Sequence, residues 1–135
     1  MDLRERRNLL KCSTNPDNVH DYMSVLEGKI RSVNLSAQHE LKICYVPDKL
    51  ILNPDSLNHY LSKIGSFNWP SQEEITTTIL GDLQNEVVPR WVHITLQTDI
   101  TSLDHVDRHI SIAEDAQPAW ENDAFLNRLG FQKLV

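Results

Sequence analysis

From Leu35 to Tyr45 the chain alternates Leu35, Ala37, His39, Leu41, Ile43 and Tyr45 with Ser36, Gln38, Glu40, Lys42 and Cys44. A period of two sends one set to each face of a strand, so this stretch predicts a half-buried β-strand. Pro47 and Asp48 end it, because proline has no N–H to give to a ladder. The preceding "MSVLEGKIRSV" alternates less cleanly, but its β-branched residues make it a hairpin partner.

Two helices follow the strand. Asn53 is placed to cap the first, Pro54 suits the first helical position, and Leu57, Tyr60, Leu61 and Ile64 form one apolar stripe before Gly65. After the connector "SFNWP", Ser71 and Glu74 predict a reciprocal capping box, and Ile75, Ile79, Leu80, Leu83 and Val87 carry a second helix to about Pro89. "RWVHITLQT" is a further strand, with Val92, Ile94 and Leu96 opposite Trp91, His93 and Thr95. In "HVDRHISI", Val106, Arg108, Ile110 and Ile112 share a parity, and "WENDAFLNRLG" predicts a short C-terminal helix.

The expected architecture is α+β in the order β-β-α-α-β-β: a four-stranded antiparallel sheet with two helices on one face. Residues 1–20, with the loop composition "STNPDN", are expected to be irregular, and 21–135 to form a single domain. Such a sheet leaves one face and both edges in need of cover, which oligomerisation would supply.

The formal charge of −6, without long like-charge runs, disfavours direct binding of nucleic-acid phosphates. No apolar run approaches the length of a membrane span, and the N-terminal residues lack the apolar core and cleavage site of a secretory signal, so no membrane partner and a cytoplasmic location are expected. Cys12 and Cys44 have no C-x-x-C spacing, and no neighbouring base in the sequence activates either. The four glycines, at 28, 65, 81 and 130, build neither a P-loop nor G-x-G-x-x-G. His105 and His109 would share a metal only on a helix; on a strand, residues four apart lie about 13 Å from one another. No metal is expected. Glu73, beside Gln72 in the first turn of the second helix, reads either as an ordinary acid stabilised at a helix N-terminus or as a fixed carboxylate that, with the neighbouring amide, suits the N–H edge of a purine or pterin.

"YVPDKL", "SLNHYL", an acidic residue opening the next helix, "ILGDL" and "VPRWVHI" together resemble 7-cyano-7-deazaguanine reductase, the nitrile reductase of the queuosine pathway. "NPDNVHDY" and "HISI" are weaker matches, so that the likeness runs over about residues 15–112. The resemblance implies a tunnelling fold, assembled into rings with ligand pockets between subunits. It also implies that Glu73 and Gln72, in the place of a Phe-His-Glu motif, contact a purine-like base.

The chain departs from the family where the chemistry lies. The family's catalytic cysteine and aspartate, in a loop before the "YVPDKL" strand, have no counterpart in "SVNLSAQHE", so the covalent thioimide has no thiolate to form it. The family's NADPH helix carries lysines; here it reads Asn53, Pro54, Asp55, Ser56, Leu57, Asn58, His59, Tyr60, and no cofactor is expected. Archaeal amidinotransferases that act on the same nitrile in tRNA also lack the NADPH motif, but they keep the cysteine and aspartate. Two functions therefore stand: a divergent enzyme of the 7-deazaguanine pathway that binds a purine-like base at a subunit interface, and a non-catalytic binding or assembly subunit. The second would work in a homo-oligomer or in a mixed ring with a related subunit.

Overall fold

In the computed structural model the described residues, 2–35 and 37–131, follow the order α1 (Leu3–Asn8), β1 (Cys12–Thr14), β2 (Ser24–Ser32), β3 (Ala37–Val46), β4 (Leu50–Leu52), α2 (Pro54–Gly65), α3 (Gln72–Glu86), β5 (Trp91–Asp99), β6 (Arg108–Ala116) and α4 (Asp123–Arg128). Ser36 and residues 132–135, which fall within the predicted strand and domain, lie outside the described residues. The alternating stretch is β3, at the middle of an antiparallel sheet ordered β2-β3-β5-β6. Its register sets Ile43 between Leu26 on β2 and Ile94 on β5, and Leu41 between Gly28 and Leu96.

The α+β plan is the one expected. Ile30, Leu41, Ile43, Tyr45, Val92, Ile94 and Leu96 pack from one sheet face against Leu57, Tyr60 and Ile64 of α2 and Ile75, Ile79 and Leu83 of α3. Burying each contributes about 1.5–3 kcal/mol, and a one-residue slip would turn a whole strand's set to the other face, so burial holds the register. Asn53 Oδ1 accepts from the Asp55 N–H at 2.9 Å with Pro54 at the first helical position, and Ser71 Oγ accepts from the Glu74 N–H at 3.2 Å. Gly65 closes α2 against β2: a Cβ there would stand 2.4 Å from the Arg31 carbonyl oxygen.

Three features differ from expectation. The first twenty residues are irregular only in part, at 15–20 and between the elements α1 and β1. Helix α1 is held to the interior by Arg6 and Arg7, and β1 pairs with β4, Cys12 opposite Leu52, to make a separate two-stranded sheet. Their polar composition hides this because much of the anchoring is ionic, with Leu10 alone of these residues in the main core.

The second concerns the outer sheet face, part of which the chain covers itself. Cys44, Val46 and Trp91 pack there with Leu126 of α4, and Met23, Trp120, Phe125 and Phe131 surround them. The third concerns β6, where Arg108, Ile110 and Ile112 share a parity as expected but Val106 does not belong to the strand. Ile110 and Ile112 lie on that outer face, 48% and 50% exposed, while His109, Ser111 and Ala113 face the helices. Val106, read with them, lies before the strand in the β5–β6 connection.

Candidate functional site

Helix α3 begins at the sheet end where β6 starts, and its first two residues divide between interior and surface. Gln72 is buried. Its side-chain nitrogen donates to the Leu96 carbonyl at 3.1 Å, the His109 carbonyl at 3.2 Å and Ser111 Oγ at 3.0 Å. With the amide nitrogen among these oxygens, its carbonyl oxygen faces His39 Nδ1 at 2.8 Å and accepts from it. One side chain therefore ties the start of α3 to β3, β5 and β6. The resemblance placed Gln72 on a base; the structure places it in the interior with its amide engaged by the protein. Its spacing after Ser71 could not reveal this, because His39, Leu96 and Ser111 are distant in sequence.

Glu73 faces outward. Its side chain is 64% exposed, and Oε2 lies 3.1 Å from Nε2 of His109, itself 37% exposed. Its own backbone N–H, and then His109, hold the Glu73 carboxyl below the usual carboxylate range. At neutral pH it is an ionised acceptor at the open edge of β6. His105, the other member of the predicted histidine pair, lies in the loop before β6, and no group of three or more His, Cys, Asp or Glu residues suited to a metal occurs among the described residues.

Neither cysteine is poised as a nucleophile. Burial pushes the Cys12 thiol up, with Glu86 adding to it, and Cys12 Sγ lies 3.7 Å from the Glu86 carbonyl oxygen. Burial likewise pushes up Cys44, inside the outer-face cluster. A protonated thiol is a poor nucleophile.

The helix that resembles the cofactor motif exposes Asp55, Asn58 and His59 and buries Ser56, Leu57 and Tyr60. Beside it runs an open groove of about 420 Å³, lined by Leu26, Gly28, Leu57 and Leu61 and by the charged Glu27, Lys29 and Arg31. These charges, two cations and one anion, come from β2, outside the motif.

The most buried ionic group lies away from this edge. Asp82, fully buried on α3, accepts from Arg6 at 2.5 and 2.8 Å, from Arg7 at 2.8 Å and from the Tyr60 hydroxyl at 2.5 Å. Burial pushes its carboxyl up, and the hydrogen bonds from Arg6, Tyr60 and Arg7 overcome this and hold it below the usual range. Tyr60 moves the other way, raised by burial and by Asp82.

The chain matches no protein-family description and no curated protein. Among solved structures it is similar to archaeosine synthase QueF-Like in the apo form, with a TM-score of 0.52 and 14% identity over 74% of this chain and 95% of that chain. The likeness establishes the tunnelling fold expected from the sequence. No helix among the described residues is long and apolar enough to cross a membrane.

Proposed function

We propose that this chain is a divergent homologue of 7-cyano-7-deazaguanine reductase that holds a purine-like base through Glu73 at an interface between subunits and does not reduce a nitrile. The observation that carries the reading is the Glu73 carboxylate, ionised and exposed beside an edge strand. A carboxylate accepts two parallel N–H groups, which is what the N1–H and 2-amino edge of a guanine-like base offers. The edge strand β6 is where a neighbouring subunit would complete the pocket. The absence of reduction is supported by the raised pKa of both thiols and by Asp55 in the first turn of α2, an anion where the family carries cations for NADPH.

The second reading, a non-catalytic assembly subunit of a mixed ring, is favoured by Gln72, whose amide serves the fold. Calorimetry with 7-cyano-7-deazaguanine and, separately, NADPH separates the readings. Base binding that is lost in Glu73→Ala, with no NADPH binding, is the expected result. Binding of both with turnover would overturn the non-catalytic part, and binding of neither would leave the assembly subunit. Glu73→Ala is expected to lower affinity at least tenfold, since a lost hydrogen bond to a charged group costs about 1.5–3 kcal/mol.

A further inference from the structure

At one end of the outer sheet face the chain supplies its own cover. After β6 a turn at Pro118 and Ala119, both exposed, leads into residues 120–131. The near side of this turn is fixed to the domain: the Gln117 N–H donates to the Arg90 carbonyl at 2.9 Å, and its side-chain nitrogen donates to Asp48 Oδ2 at 3.0 Å. The far side is tethered by a carboxylate from the N-terminal loop. Asp21 Oδ2 accepts from Trp120 Nε1 at 3.1 Å and from Asn122 Nδ2 at 2.8 Å, while Arg90 holds its Oδ1 at 2.9 Å.

Local sequence sets the path beyond that tether. Asn122 caps α4 by accepting from the Phe125 N–H at 3.3 Å, and Gly130, at a φ of 85°, ends the helix in the left-handed conformation that glycine adopts without strain. The Gly130 and Phe131 N–H groups return to the Asn127 and Leu126 carbonyls at 3.1 and 2.9 Å. This Schellman turn lays Phe131 over the sheet, its ring centroid 5.1 Å from those of both Trp91 and His93. Beneath the segment Cys44, His93 and Glu114 stand opposite one another on β3, β5 and β6, with Cys44 fully covered.

We propose that residues 120–131 are a strap, hinged at Pro118 and Ala119 and latched at Asp21, that opens independently of the domain and gives solutes access to Cys44 and His93. The apolar contacts of the strap belong to a small cluster that the sheet separates from the main core. Leu126 is the one buried residue of α4, and Trp120, Phe125 and Phe131 are partly buried. A helix of six residues does not hold itself in water, so α4 depends on these contacts and on the latch. Segments with few buried contacts open at a fraction of the free energy of global unfolding. The strap lies at the far end of β6 from Glu73 and does not depend on the base-binding reading.

Native-state alkylation tests the strap in the full chain. Iodoacetamide is added over urea concentrations below the unfolding transition, and Cys44 and Cys12 are read separately by peptide mass spectrometry. Cys44 is expected to be labelled at a rate nearly independent of urea at first, because opening the strap exposes little surface, and to join the steep global limb only near the transition. Asp21→Ala is expected to speed labelling of Cys44 about tenfold or more, since it removes hydrogen bonds to a charged group, and to leave Cys12 in β1 unchanged. Labelling of Cys44 that follows the global limb throughout, or that a folded Asp21→Ala chain leaves unchanged, overturns the strap. If Asp21→Ala does not fold, Phe131→Ala decides: faster labelling of Cys44 with Cys12 unchanged is the expected result, and an unchanged rate overturns the strap.

Discussion

At the scale of single residues, Asp82 carries more of the fold than its place in "ILGDL" suggests. An isolated buried carboxylate is costly, and this one is compensated by two arginines from α1 and by Tyr60 from α2. Asp82→Ala leaves Arg6 buried without its carboxylate and is expected to cost about 3–5 kcal/mol in urea denaturation at neutral pH. The pH dependence has a definite sign. With the folded pKa depressed, the unfolded chain takes up the proton first, so the contribution is complete above about pH 4 and is lost as pH falls through the folded value. Denaturation midpoints measured between pH 2 and about pH 5 should show this acid limb in the native chain and a flatter one in Asp82→Asn. Equal limbs would show that Asp82 is not held below its unfolded pKa.

At the scale of elements, local pattern was a good guide wherever burial follows sequence spacing, and a poor one wherever a distant partner decides. β3, α2 and α3 were legible because alternation, Asn53-Pro54 and the Ile75, Ile79, Leu83 stripe each state an element's inward face within the element itself. β6 was legible as a strand but not in its orientation: its isoleucines share a parity, yet the inward positions belong to His109, Ser111 and Ala113, near Gln72. Of the two candidate site residues, Glu73 could be identified as a first-turn acid, while the interior role of Gln72 required partners from β3, β5 and β6. α1 was hidden for the same reason, since "LRERRN" has no apolar stripe and docks through Arg6 and Arg7. Removing residues 1–14 is therefore expected to lower the melting temperature by about 10 °C or more, because the Asp82 carboxylate loses both cations. Calorimetric scanning of the shortened chain measures this, and an unchanged transition would mean that the segment behaves as the irregular tail its composition implies.

At the scale of the whole molecule, the sheet ends in two free edges, β2 and β6, each nine residues long among the described elements. Long unpaired edges invite pairing with another chain, and monomeric proteins usually blunt them with charge, proline or a bulge. β2 follows that rule on its outer face with Glu27, Lys29 and Arg31. β6 does so less, since between Arg108 and Glu114 its outer positions are Ile110 and Ile112, about half exposed. The helices cover the inner face and α4 covers only one end of the outer face, which leaves these isoleucines half exposed and outside both clusters of the described chain. Association through β6 would bury them and would bring a second surface to the edge where Glu73 lies. Light scattering is accordingly expected to give a mass that is a multiple of the 15.6 kDa protomer, and Ile110→Lys combined with Ile112→Lys should shift it toward one protomer. Because both side chains are half exposed, the double substitution should cost the protomer little, about 1 kcal/mol or less in denaturation of the separated chain. If Glu73 draws part of its pocket from the neighbour, the same variant should also lose affinity for the base while keeping its helices by circular dichroism. Retained affinity in a monomeric variant would place the whole pocket on one chain, and a native chain that scatters as a single protomer would remove the homomeric ring and leave a related partner subunit to complete the edge.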